Sequence, residues 1–100
     1  MALSKFGFIV TGAGLDPARH RVTMSSGVFE MIAIGVAEPG QACAVARALV
    51  AEGVQLIELC GGFGPRWTAK VIEAIDHAIP VGSVGYGPES IDALHALFSR

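Results

Sequence analysis

A chain of 100 residues with a formal net charge of −2 and seven scattered Lys and Arg residues is one α/β-sized domain and carries no basic stripe of the kind that neutralises phosphates, so nucleic acid is excluded as a partner. No apolar run approaches the roughly 18 residues needed to span a bilayer, and Phe6–Val10 is too short for the apolar core of a signal peptide. Hydrophobic residues make up 52% and charged residues only 16%, against a usual charged share of about 25%. A domain this small buries only about two-thirds of its unfolded surface. The apolar surplus therefore implies a subunit interface, and a homo-oligomer is expected.

The elements alternate in type along the chain. Phe6–Thr11 reads as a buried strand, closed by Gly12-Ala13-Gly14. Asp16 then resembles a helix N-cap with Pro17 in the first helical position, predicting a weakly patterned helix that stops near Gly27. Phe29–Val36 is a second strand. Pro39 opens a strongly periodic helix with Ala42, Val45, Ala46, Leu49 and Val50 on one face and Gly53 as its left-handed stop. Val54–Cys60 is a third strand, ending in Gly61-Gly62-Phe63-Gly64. Pro65 starts a helix whose inner face is traced by Thr68, Val71, Ile72, Ile75 and Ile79. Val81–Val84 is a short fourth strand, and Pro88 opens a last helix with apolar Ile91, Leu94, Leu97 and Phe98.

Strands separated by helices pair in parallel through right-handed crossovers. The expected fold is a single α/β domain over residues 1–100, with four βα units on a small open parallel sheet in flavodoxin-like order 2-1-3-4. A (βα)4 half-barrel completed by a second subunit is the alternative. A ferredoxin-like fold is disfavoured because it joins two strands without a helix between them. Gly62-Phe63-Gly64-Pro65 recurs as Gly85-Tyr86-Gly87-Pro88, in each case at a strand-to-helix turn.

The stretch Val54-Gln-Leu-Ile-Glu-Leu-Cys-Gly-Gly-Phe-Gly-Pro65, together with the opening Phe8–Pro17 and the late Tyr86–Ser90, resembles a bacterial family of stand-alone α/β proteins of about this length. That family has no assigned function. The resemblance implies the fold and lends no catalytic residue.

In an open parallel sheet, ligands bind outside the strand C-termini where the strand order reverses. With order 2-1-3-4 the crevice falls between the first and third strands. Its candidate ligand-binding residues are Thr11, Gly12, Gly14, Asp16, Gly61, Gly62, Gly64 and Arg66, with Tyr86 at the flank. Glu58 and Cys60 are the candidate catalytic residues at its floor. A carboxylate in an apolar strand is costly to bury unless paired or protonated, which makes Glu58 either a base or an interface residue. Cys60 is either a reactive thiol or a small buried apolar side chain. His77 and His95 are expected at the opposite end of the sheet, leaving only His20, a surface partner of Asp16, near the crevice. A proton-transfer pair of Cys60 with Cys43 is the weakest of these options.

Gly12-Ala13-Gly14 lacks the third glycine of a dinucleotide fingerprint, and no P-loop is present. The better anion cradle is Gly61–Gly64, followed by Arg66. Arg19 and Arg21 read as solvated, and Trp67 as a rim or interface aromatic. The histidines and cysteines lack metal-ligand spacing, and the motifs leave the cofactor unknown. Two cysteines make no disulfide framework, so a reducing cytoplasm is the default compartment. The expected function is binding of a small-molecule or anionic ligand by a homo-oligomer. The alternative is a small enzyme using Glu58 or Cys60 for proton transfer or covalent chemistry on a carbonyl or carboxylate substrate.

Overall fold

The computed structural model describes residues 2–99. Five strands form one sheet: β1 (Lys5–Thr11), β2 (Arg21–Ser25), β3 (Glu30–Val36), β4 (Ile57–Leu59) and β5 (Val81–Ser83). Their order is β2-β3-β1-β4-β5. The β3, β1, β4 and β5 ladders are parallel, and β2 pairs antiparallel with β3. Three helices follow the later strands: α1 (Ala42–Ala51), α2 (Gly64–Ala74) and α3 (Ile91–Phe98). The fold is thus mixed α/β with a mostly parallel sheet. The parallel strands run β3-β1-β4-β5, out of chain order, which sets aside the half-barrel.

The expectation of four βα units is corrected at the first connection. Instead of a helix from Asp16 to Gly27, the chain makes one turn and then a β-hairpin. Asp16 Oδ1 accepts the Ala18 N–H at 2.9 Å, which satisfies the turn locally without starting a helix. Arg21-Val22-Thr23-Met24 then adopts a strand, helped by its β-branched residues. The reversal to β3 runs through Ser26 and Gly27. Ser26 N–H donates to the Phe29 carbonyl at 3.0 Å, and Gly27 takes φ +95°, a conformation a Cβ would oppose. β2 and β3 are joined without a helix, a connection that the sequence pattern does not predict and that the ferredoxin-like alternative would need. The sheet is nonetheless mostly parallel.

The core lies between one face of the sheet and the pair α1–α2. Ile9, Ile32, Ile34, Val36, Ile57 and Leu59 supply the strand side, and Ala42, Val45, Ala46, Leu49 and Val71 the helix side. Both helices cover the same face because β3→β4 and β4→β5 cross the sheet in the same direction, and right-handed crossovers then place them together. The α1 stripe is buried as its spacing predicts, and Gly53 ends it at φ +90°. α2 stops at Ala74, short of the expected Ile79. Asp76 and His77 follow it at φ +53° and +58°. The third strand is shorter than expected, because only Ile57–Leu59 pairs on both sides.

Arg21, on the helix-side face of β2, reaches the C-terminal end of α1. Its Nη1 donates to Glu52 Oε2 at 2.8 Å, and its Nη2 to Glu52 Oε1. The hydrogen bond to Glu52 raises the Arg21 pKa, and the same bond lowers that of Glu52. Both side chains are solvent-exposed, so the bidentate geometry is discounted for screening, and coupling in an Arg21→Ala/Glu52→Ala double-mutant cycle is expected below ~1 kcal/mol. Because the folded-state pKa of Glu52 is depressed, the contribution is fully present above its unfolded pKa. It is lost as pH falls through the folded one. Cycles in low salt at neutral pH and at acid pH check this, and coupling that grows on acidification would contradict it.

Candidate functional site

At the C-terminal ends of β1 and β4 the backbone has to part, because from β1 the chain is flanked by β3 on one side and β4 on the other. A crevice of about 460 Å³ opens there. Thr11 ends β1 on one wall. Cys60, Gly61 and Gly62 follow β4 on the other, and Tyr86 stands at the flank. The roof is α3, through Leu94, Leu97 and Phe98.

The floor is tied together by backbone groups. Cys60 N–H donates to the Ile9 carbonyl at 3.1 Å, extending the β1–β4 ladder by one residue. Thr11 N–H in turn points at Cys60 Sγ, 3.4 Å away. Phe63 N–H donates to the Cys60 carbonyl at 3.1 Å and closes the turn, while the Phe63 ring is buried in the core. Close approach requires glycine at position 62, whereas position 61 has room for a Cβ in ordinary contact. A Cβ on Gly62 would stand 2.9 Å from Thr11 Cγ2, and one on Gly61 3.6 Å from Tyr86 Cε2 and 3.4 Å from the Val84 carbonyl oxygen. The repeated Gly-aromatic-Gly-Pro turn has two different fates: Phe63 anchors its loop inside, whereas Tyr86 is exposed over the crevice.

Of the residues singled out in the sequence, the structure brings Thr11, Cys60, Gly61, Gly62 and Tyr86 together. The rest lie elsewhere. Gly12, Gly14 and Asp16 belong to the turn after β1, where Leu15 packs on Gly35 and Asp16 N–H donates to His20 Nδ1 at 2.8 Å. Gly64 and Arg66 sit in the first turn of α2 outside the crevice lining, with Arg66 exposed. Glu58 is not a buried carboxylate. It is exposed on the sheet face opposite α1 and α2, beside a separate hollow formed with Gly82, Ser83 and Val84. The premise of an unpaired carboxylate inside an apolar strand therefore falls away, because β4 is covered on one face only.

Trp67 packs toward Gly40 and under Lys70, whose Nζ is 4.2 Å from the ring centroid, and is not at the crevice. Cys43 faces the Lys70 carbonyl between α1 and α2, in surroundings distinct from those of Cys60. Both cysteines are free. Among the described residues, no group of three or more His, Cys, Asp or Glu is arranged to hold a metal ion.

Leu94, Leu97 and Phe98 were missed as lining residues. They read as the core-facing stripe of a helix packed on the sheet, whereas α3 contributes no buried residue. The sequence offered no signal for this, because an apolar helical stripe looks the same whether it packs on a sheet face or roofs a crevice at the strand ends. His95 lies on the roof helix, not at the far end of the sheet.

These features define a mixed α/β protein with a one-sided helical layer and a crevice over the strand C-termini. The model of a family of unknown function, DUF6506, matches residues 4–99, and the chain belongs to that family. No curated protein and no solved structure matches it. Among the described residues, no helix is long and apolar enough to cross a membrane.

Proposed function

We propose that this chain is a small-molecule-binding protein that works as a homo-oligomer and holds its ligand in the crevice between β1 and β4, beneath α3. The observation that carries the reading is the crevice itself. Its volume of about 460 Å³ falls within the ~300–1,000 Å³ of ligand sites, and its lining is apolar with a few polar groups, as such sites are. One wall offers the Thr11 hydroxyl and Cys60 sulfur. The other side offers the Tyr86 ring and the α3 side chains. This lining suits a compact, largely apolar or aromatic ligand bearing one or two polar atoms. An anionic group on it would be nearest the glycine turn before α2.

Amide-shift mapping with a panel of small aromatic acids and their neutral amides tests the proposal. Shifts are expected at Thr11, Cys60–Gly62 and Tyr86, and are expected to be lost in Gly62→Val, whose side chain projects against Thr11. Shifts confined to the helix C-termini would overturn it. The homo-oligomer part is supported by the apolar side chains left exposed on the sheet and on α3, and sedimentation showing a monomer at micromolar concentration would remove it.

A second reading, covalent or proton-transfer chemistry on a carbonyl or carboxylate substrate, is favoured by one observation: Cys60 Sγ lines the crevice. Glu58 stands on another surface, and the crevice lining contains no histidine. A nucleophile–base pair is therefore not assembled there. A Cys60 thiol that titrates like a free cysteine would remove this reading.

A further inference from the structure

We propose that the uncovered face of the sheet is where two copies of this chain pack, related by a two-fold axis parallel to β1. This deepens the homo-oligomer reading and rests on it.

A mostly parallel sheet ordinarily has both faces covered by its crossover helices. Here the one connection that would place a helix on the second face, β1→β3, forms the β2 hairpin instead. The ladder registers show what that face carries. One row across the sheet is Val22, Ala33, Phe8, Glu58 and Gly82. The next row toward the strand N-termini holds Met24, Met31 and Phe6, with Phe29 against Phe6 at a ring-centroid distance of 5.9 Å. Val10 and Gly35 continue it toward the C-termini, with Leu15 over Gly35. Val22 and Met24 are 65% and 66% exposed. A contiguous apolar row left uncovered by any helix suits an interface.

The charges on this face select both the partner and the axis. Glu58 lies on the β4 flank. Arg19 lies on the opposite flank, where it lines a groove with His20, Val22, Ala33 and Gly35. A two-fold axis parallel to the central strand β1 exchanges the flanks, so each Glu58 faces the Arg19 flank of the other copy. An axis perpendicular to the strands would instead lay β4 on β4 and bring the two Glu58 carboxylates together. A second copy thus supplies the complementary charge as well as the apolar surface. Five strands spaced by about 4.8 Å and up to about 23 Å long give a projected footprint on the order of 400 Å². Side-chain relief and the Phe29 ring beside Phe6 add to this footprint, against the ~800 Å² per partner of a stable interface.

Sedimentation equilibrium of the full chain and its variants tests this, with far-UV circular dichroism confirming that each variant is folded. The wild type is expected to dimerise and Val22→Lys/Met24→Lys, at two exposed positions, to be monomeric. Glu58→Arg should weaken the dimer about tenfold or more by facing like charge, and Glu58→Arg/Arg19→Glu should recover it. A monomeric wild type would overturn both this proposal and the homo-oligomer reading. A dimer insensitive to Val22→Lys/Met24→Lys but broken by Leu97→Lys/Phe98→Lys would overturn this proposal alone, moving the interface to α3. A dimer that responds to the β2 variants but not to Glu58→Arg would overturn the axis. Wild-type monomer that co-sediments with phosphatidylcholine–phosphatidylglycerol vesicles would assign the face to a lipid surface instead.

Discussion

Leu49→Ala is expected to lower the unfolding free energy by about 3 kcal/mol, within the ~2–5 kcal/mol found for leucine truncation in a packed core. Leu49 is 0% exposed and lies in the α1 stripe that meets the centre of the sheet. One of its methyl carbons stands 2.7 Å from the point where a Cβ on Gly7 would be. The side chain thus fills the space that a glycine leaves in β1. Neighbouring Ile9, Ile57 and Val71 are all in the same buried cluster and are held by separate elements, so the cavity cannot close by moving any one of them. Against a total stability of roughly 5–15 kcal/mol for a domain, this loss moves the urea midpoint substantially. The measurement should be made at fixed protein concentration, since subunit association adds to apparent stability. A loss under about 1 kcal/mol would mean that α1 does not seat on β1 as described.

The second large effect comes from the other side of that contact. Gly7→Ala is expected to destabilise by about 1–3 kcal/mol, because the added methyl overpacks a closed region. Gly35→Ala is expected to cost less, although its Cβ would also meet a leucine, 2.9 Å from Leu15 Cδ1. The difference is in what can give way. Leu49 is hemmed in by the core, whereas Leu15 rides on a half-exposed turn that can shift outward. Thermal unfolding of the two variants side by side makes the comparison. Gly7→Ala/Leu49→Val should recover part of the loss, as expected for two positions sharing one volume. Equal costs at Gly7 and Gly35 would show that the turn after β1 is as rigid as the core.

Several parts of this architecture are readable from residue order. The α1 stripe from Ala42 to Val50 repeats at helical spacing and is buried as such. The near-continuous apolar runs at Phe6–Thr11 and Phe29–Val36 correspond closely to β1 and β3. The glycines after β4 mark a loop that lines the crevice, and those after β1 mark a turn. In each case the signal is local: periodicity, β-branching, or a turn that requires glycine. The segment from Asp16 to Gly27 misleads because Asp-Pro is equally a helix start and a turn start. The deciding residues lie further on, in the alternation of Arg21–Ser25 and the Ser26-Gly27 reversal.

Residue order alone encodes the α/β character, the identity of the parallel strands, the buried stripe of α1 and the two glycine turns at Thr11–Gly14 and Cys60–Gly64. Those features follow from interactions within a few residues, which local order encodes. Long-range packing sets the rest: Glu58 faces away from Cys60's crevice, α3 roofs that crevice, and one face of the sheet is left bare. Each of these depends on which side of the sheet a connection crosses and what packs there. That is a competition among distant segments for the same apolar surface, and no single stretch of the chain records its outcome.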